Sequence, residues 1–460
     1  MRQRSRVGRL AATFISATMV AAIAATTGTP AAAAPAQHQG IQLRTGLNGT
    51  TVITGIPAPL TTSECLAGFG IHCYSPLQLR VAYHLKPLYQ SGITGAGRTI
   101  VIVDSFGSPT IRHDLRKFDE QWGLPPADLR IVQTGPIPPF DPNNGDMVVW
   151  AAESTLDVEY AHAVAPGAKI VLVETPVAQV QGTTGLPEMM NAEKQLIDQG
   201  IGDVISQSFT STENTFPGFD QGDFSSLLDL RYAFKDAKKH NVTVLAASGD
   251  NGATNFMPNG SDTYPFRVDA WPSTDPLVTS VGGTALTLDD AGIRQQPDTA
   301  WNDPFGSTGG GTSQVFRRPS FQHGVRSQVG NWRGTPDISM TGAVDGGAFV
   351  YFSAVDPAGP WELFGGTSLA TPMFAGIVAL ADQFAGHRLG DINPALYRLG
   401  AQSRMPHTHT GIVDVTTGDN TFAGVTGFGA APGYDLTTGW GTVDAARFVP
   451  ALVSAAEHGQ

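Results

Sequence analysis

Two cysteines, Cys65 and Cys73, are all that the 460-residue chain contains. No Cys/His cluster and no H-E-x-x-H string occurs, so nothing in the sequence points to zinc. The C-x7-C spacing is most simply a local disulfide closing a small loop, and no His-plus-amide setting marks either sulfur as a catalytic thiol. Charge is also scarce, at 15% of residues, and the formal net charge is −12. An acidic chain argues against nucleic acid as a partner. No internal repeat is found, and the 54 glycines and 32 prolines are spread along the chain rather than massed in low-complexity blocks. That distribution reads as turn chemistry in a loop-rich folded protein.

Long apolar runs are few. Arg2, Arg4, Arg6 and Arg9 precede an apolar stretch from Leu10 to about Ala25, and the Ala-rich segment Ala31–Ala36 follows. A charged start, an apolar middle and a small-residue exit are the features of a secretory signal peptide, read here as residues 1–36. The run is short for a membrane span, and no other stretch reads as long and apolar enough for one. The expected location is extracellular, with no membrane attachment after signal removal. Loss of the four arginines takes the formal charge from −12 to −16, which suits a protein working in acid.

Residues 37–73 read as a short leader or linker carrying the Cys65–Cys73 loop. Its Gly/Thr-rich portion up to Thr62 has no periodicity. From residue 74 to 460 short apolar runs alternate with helical periodicity. Thr99–Val103, Lys169–Val173, Val204–Ser208 and Val242–Ala246 have the look of buried parallel strands. Glu153–Ala163, Pro187–Gln199 and Phe224–His240 carry apolar residues at helical spacing. The alternation predicts an α/β domain whose mainly parallel sheet is flanked by helices in three layers, with sites gathered at the strands' carboxyl ends.

Gly365-Gly-Thr-Ser368-Leu-Ala-Thr-Pro372 is the most specific string in the chain. The glycines permit a tight turn, and Ser368 then opens an apolar helix running to about Phe384. There the helix dipole and free N–H groups favour a developing oxyanion. A serine nucleophile needs a partner that takes its proton. No H-G-T string supplies a histidine, and His113 and His162 read as surface or packing residues. Glu153-Ser-Thr-Leu-Asp157 offers two carboxylates four apart, on one face of a helix. Such a pair repels unless it shares a proton or is well solvated. A carboxylate can still accept a proton at acidic pH, where an imidazole is already charged.

W-x-x-E-x-x-L-D-V-E, running into His162-Ala-Val-Ala-Pro166-Gly-Ala168, resembles the catalytic-helix segment of the sedolisin (serine-carboxyl peptidase) family. The G-T-S-x-A-x-P string is similar to the nucleophile segment that sedolisins share with subtilisins. The resemblance extends from about Tyr74 to Val449. It includes Gly309-Gly-Gly-Thr-Ser-x-x-Phe316, Arg333-Gly-Thr-Pro-Asp-Ile338 and Asn393-Pro-Ala-Leu-Tyr397. It implies a subtilisin-like fold and a serine endopeptidase acting on proteins or peptides in acid. Ser368 would be the nucleophile, Glu153 its base and acid, and Asp157 the residue that orients Glu153 and shares its proton. Asp250, in Ser248-Gly-Asp-Asn-Gly252, matches the aspartate of the oxyanion hole and would donate there only while protonated.

The resemblance also implies a structural Ca2+ site. Asp414 and Asp435 would be its side-chain ligands, and Val415, Ala431 and Gly433 its carbonyl ligands, with water completing the shell. Ala431 stands where the family commonly has Gly. Family members usually carry a large N-terminal pro-domain, and the roughly forty residues between signal and domain are too few for one. Oligomerisation is not indicated, and a monomer is expected. Three other readings compete. One is a tripeptidyl-peptidase type of exopeptidase. Another is a subtilisin-type enzyme using Asp104, whose V-I-V-D-S strand resembles the subtilisin Asp strand, with a displaced histidine. The third is a non-catalytic secreted binding protein.

Overall fold

Alternation of side chains along each strand decides how the domain is layered. In the computed structural model, which describes residues 42–458, strand β3 is Thr99–Ser105, after an N-terminal hairpin of β1 (Gln42–Thr45) and β2 (Thr51–Ile56). Ile100 and Ile102 face one apolar layer, with Ala151, Leu156, Leu369, Met373 and Phe374. Val101 and Val103 face the other, with Leu186, Met189, Phe234 and Ala237. Strands buried on both faces need apolar residues at every position, which is why these runs are continuous rather than alternating.

The elements follow in order as α1 (Ile111–Trp122), β4 (Asp128–Gln133), α2 (Gly145–Val164), β5 (Lys169–Thr175), α3 (Leu186–Asp198) and β6 (Val204–Gln207). Then come α4 (Tyr232–Lys239), β7 (Thr243–Ala247), β8 (Thr279–Ala285) and β9 (Ile338–Thr341). The spatial order β4-β5-β3-β6-β7-β8-β9 is parallel throughout. Chain order reverses direction beside β3, and the crevice at the carboxyl ends there is where such sheets place ligands.

A second sheet joins β1, β2, β11 (Trp361–Phe364), β10 (Gly347–Tyr351) and the Cys73–Tyr74 strand. Residues 42–56, which lie within the stretch read as a leader or linker without periodicity, form paired strands, β1 with β2 and β2 antiparallel to β11. Their composition hides the pairing because a long-range partner, rather than local periodicity, supplies the hydrogen bonds. Cys65 and Cys73 form a disulfide. The signal segment expected at residues 1–36 lies outside the described residues.

Helix α2 starts two turns before the expected Glu153, because Asn144 caps it by accepting from the Met147 N–H at 3.2 Å. The helix expected over Phe224–His240 is broken into Ser225–Leu228, a 3-10 turn at Asp229–Arg231, and α4. At the break, Arg231 makes a forked ion pair with Asp275 at 2.5 and 2.9 Å. Helix α5 (Thr367–Ala385) is long and apolar enough to cross a membrane, contrary to the expectation that no stretch beyond the N-terminal run would be. Its residues from Thr367 to Asp382 are all buried inside the domain, because it is the core helix against α2 and the sheet.

Candidate active site

Helices α2 and α5 pack against each other and bring Glu153, Asp157 and Ser368 together, although more than two hundred positions separate the carboxylates from the serine in sequence. All three are buried, with 2%, 0% and 3% of their surface exposed. The Ser368 hydroxyl interacts with the Glu153 carboxyl. Ser208, just past the end of β6, donates from Oγ to Asp157 Oδ1 at 2.9 Å and reaches the Ser368 carbonyl at 3.4 Å. That carbonyl is open to it because Pro372, four residues on, has no N–H to give the helix. The proline of the G-T-S-x-A-x-P string thus leaves a free acceptor one turn back, at Ser368.

Burial pushes Glu153 well above the usual carboxylate range. The Ser368 hydroxyl opposes the shift, and the neighbouring charges of Asp104 and Asp250 add to it. Burial, then Asp104 and Glu153, does the same to Asp157 against the Ser208 hydrogen bond. Glu153 Oε1 and Asp157 Oδ2 have no hydrogen-bond partner among the described residues. Two buried carboxyls with an open oxygen each and a shared field hold at least one proton between them. Asp104, at the end of β3, is fully buried and pushed up to about 7, first by that burial and then by the charge of Glu174. No histidine among the described residues hydrogen-bonds Ser368, Asp104, Glu153 or Asp157; His162 is buried against Pro125 and Asp119, and His113 pairs with Asp114.

Asp250 follows β7 by three residues. Its Oδ1 accepts from the Thr367 N–H and hydroxyl, both at 2.7 Å, and its Oδ2 is hydrogen-bonded by Thr50 Oγ1. Burial raises it to about 6, against those hydrogen bonds. Gly366, with φ +95°, is the residue that lets the two segments meet. A Cβ there would stand 2.8 Å from Asp250 Oδ2 and 3.2 Å from Thr50 Oγ1.

Three polar residues at this centre had no functional reading in the sequence. Ser208 carried a usable signal, since it lies at the carboxyl end of an expected strand. Asn48 and Thr50 carried none, because they sit in a Gly/Thr-rich stretch whose meaning depends on distant partners.

In the C-terminal loops, Asp414 Oδ2 accepts from the Gly433 N–H at 2.7 Å. Asp435 accepts from the N–H groups of Ala431, Thr437 and Thr438 at 2.8–2.9 Å. Both carboxylates therefore meet the Ala431–Gly433 segment through its N–H groups, and carboxylate and carbonyl oxygens are the donor chemistry a hard cation takes. No group of three or more His, Cys, Asp or Glu poised for a metal exists among the described residues, so backbone carbonyls must complete any shell.

Comparison with known proteins agrees with this geometry. The Subtilase family profile matches residues 142–414. Kumamolisin of Bacillus sp. (strain MN-32) is 31% identical over 399 residues, which are 84% of this chain and 65% of that protein. Sedolisin of Pseudomonas sp. (strain 101) is 31% identical over 371 residues, 78% of this chain and 58% of the relative. Tripeptidyl-peptidase 1 of Homo sapiens is 32% identical over 234 residues, 45% of this chain and 36% of the relative. The solved structure of Pseudomonas sedolisin, a serine-carboxyl proteinase complexed with two molecules of pseudo-iodotyrostatin, superposes with a TM-score of 0.69 at 28% identity. It covers 84% of this chain and 99% of that one. The chain spans less than two thirds of the length of these curated relatives.

Proposed function

Because the chain belongs to the subtilase family and, within it, to the sedolisin-type peptidases, we propose that it is a secreted serine-carboxyl endopeptidase acting in acid through an acyl-enzyme. The observation that carries this is Ser368 beside a buried carboxyl pair with no histidine in contact among the described residues. Ser368 Oγ attacks the scissile carbonyl as Glu153 takes its proton. Asp157, held by Ser208, shares the pair's proton and fixes Glu153. Asp250, when protonated, hydrogen-bonds the tetrahedral oxyanion, assisted by N–H groups at the start of α5. Glu153 returns the proton to the leaving amine, and water repeats the sequence to free the acid. Endopeptidase action is preferred over tripeptidyl release because the bacterial relatives match most of the chain and tripeptidyl-peptidase 1 less than half.

Digestion of a denatured protein from about pH 2.5 to 8 tests the reading. Activity is expected to peak in acid and to fall as pH rises through about 6, where Asp250 loses its proton. Asp250→Asn, which keeps a donor at every pH, is expected to move that falling limb upward. A maximum near neutrality that declines below pH 6.5 would return the chemistry to histidine. Internal fragments, rather than a ladder of tripeptides, are the expected products.

Ca2+ is the cofactor proposed for Asp414 and Asp435 with the carbonyls of Val415, Ala431 and Gly433. Its contribution would be to tie the two loops together. Chelation is expected to lower the melting temperature by several degrees, with recovery on added Ca2+ but not Mg2+. An unchanged melting curve would remove the site.

A further inference from the structure

The hairpin β1–β2 ends in a tip that the peptidase mechanism does not use, and the tip lies on the reacting groups. Asn48 Nδ2 donates to the Ser208 carbonyl at 3.2 Å and stands 3.5 Å from Ser368 Oγ. Thr50 Oγ1 hydrogen-bonds Asp250 Oδ2, the oxygen left over after Thr367 has taken Oδ1. The tip is itself tied down. Asn48 Oδ1 accepts from Thr210 Oγ1 at 2.9 Å, its carbonyl accepts from Asn251 Nδ2 at 2.8 Å, and the Gly46 N–H donates to the Thr50 carbonyl at 2.6 Å. The Thr51 N–H donates to the Phe305 carbonyl at 3.3 Å. Asn48 adopts φ +58° and Gly49 φ +89°, and a Cβ at Gly49 would enter the Phe256 ring at 2.6 Å.

A nucleophile that attacks a peptide must be reachable by one, yet Ser368 is 3% exposed beneath this tip and Asp250 1%. The pocket beside the tip is about 200 Å³, walled by Thr45–Gly49, by Trp150 and Gln179–Gln181, and by Phe256, and Ser368 is not among its lining residues. A peptide cannot lie over Ser368 while the Asn48 amide stands 3.5 Å from its hydroxyl. We propose that residues 46–50 are a tethered strap that keeps the site closed, and that a peptide substrate binds only after the tip lifts. The legs can stay behind, because β2 is paired with β11 and Arg44 of β1 is ion-paired with the buried Glu362 of β11. Lifting exchanges the hydrogen bonds of Asn48 and Thr50 for those of the substrate. This inference rests on the reading of Ser368 as nucleophile.

The test is the rate at which a fluorophosphonate labels Ser368 in the full chain, with S368A as the blank. The double variant Asn48→Gly and Thr50→Val removes the tip's side-chain contacts with Ser208, Ser368 and Asp250, and glycine tolerates φ +58°. Gly49→Val opens the tip from the other side by colliding with Phe256, and it serves if the double variant does not fold. Labelling is expected to be at least tenfold faster in either variant than in the parent, with hydrogen exchange at residues 46–51 faster as well. Labelling as fast in the parent, or slower in the variants, would overturn the strap and make Asn48 and Thr50 helpers of the site. Absence of labelling in parent and variants alike would overturn the peptidase reading, and the strap with it.

Discussion

Ser368→Ala is expected to lower kcat/KM by a factor on the order of 10^4–10^6, and Glu153→Gln by nearly as much, because nucleophile and base act as one unit. For the same reason the double variant is expected to be no worse than Ser368→Ala alone. Asp157→Asn should cost less, about 10^2–10^3-fold, since it leaves Glu153 in place but removes the carboxyl that shares its proton. Gln and Asn keep the shapes of Glu and Asp, so far-ultraviolet circular dichroism should be unchanged and the losses should be chemical. Steady-state kinetics on a quenched peptide at the acid optimum, with active-site titration of the parent, measures all four. Near-parental activity in Glu153→Gln would remove Glu153 from the mechanism.

The second large effect concerns stability. Asp104, Glu213 and Glu362 are held near 7, Glu193 and Asp382 near 8, and Asp269 near 6, in each case primarily by burial. In the unfolded chain these groups titrate near about 4. Between those limits the folded protein keeps protons that the unfolded chain releases, so stability falls as pH rises. It is fully present near pH 4 and is lost progressively through 6 to 8. A tenfold difference in proton affinity between the folded and unfolded chain is worth about 1.4 kcal/mol, and all six groups act in the same direction. The melting temperature is therefore expected to drop by about 10 °C or more between pH 4 and pH 8. Scanning calorimetry in buffers of matched ionic strength reads this directly, and a melting temperature that is level or rising over the interval would contradict it. A strand-buried carboxyl that prefers its proton suits the acidic working range proposed for the active site, and both follow from the same burial.

Much of the centre is legible in the linear chain. The Glu153/Asp157 spacing puts both groups on one helical face. The Gly-Gly-Thr-Ser string needs the turn that φ +95° at Gly366 provides, and the apolar strand runs anticipate a sheet covered on both faces. These are local consequences of helix period, glycine freedom and strand burial, so a linear string can carry them. The membrane-like composition of α5 could not be told from that of a core helix, because composition records only that a segment avoids water. It does not record what covers the segment.

What the sequence determined, then, was the candidate set Ser368, Glu153, Asp157 and Asp250 and the order of strands and helices that holds it. Tertiary structure decided the rest. It placed Ser208 between Asp157 and Ser368, buried both carboxyls deeply enough to raise them together, and moved Asp104 into the field of the pair. It also carried residues 42–56 from an apparent linker into a sheet whose turn reaches Ser368. Each of these depends on contacts between positions far apart in the chain. Burial, pKa and long-range strand pairing are properties of the surroundings, and a residue's surroundings exist only once the chain has folded.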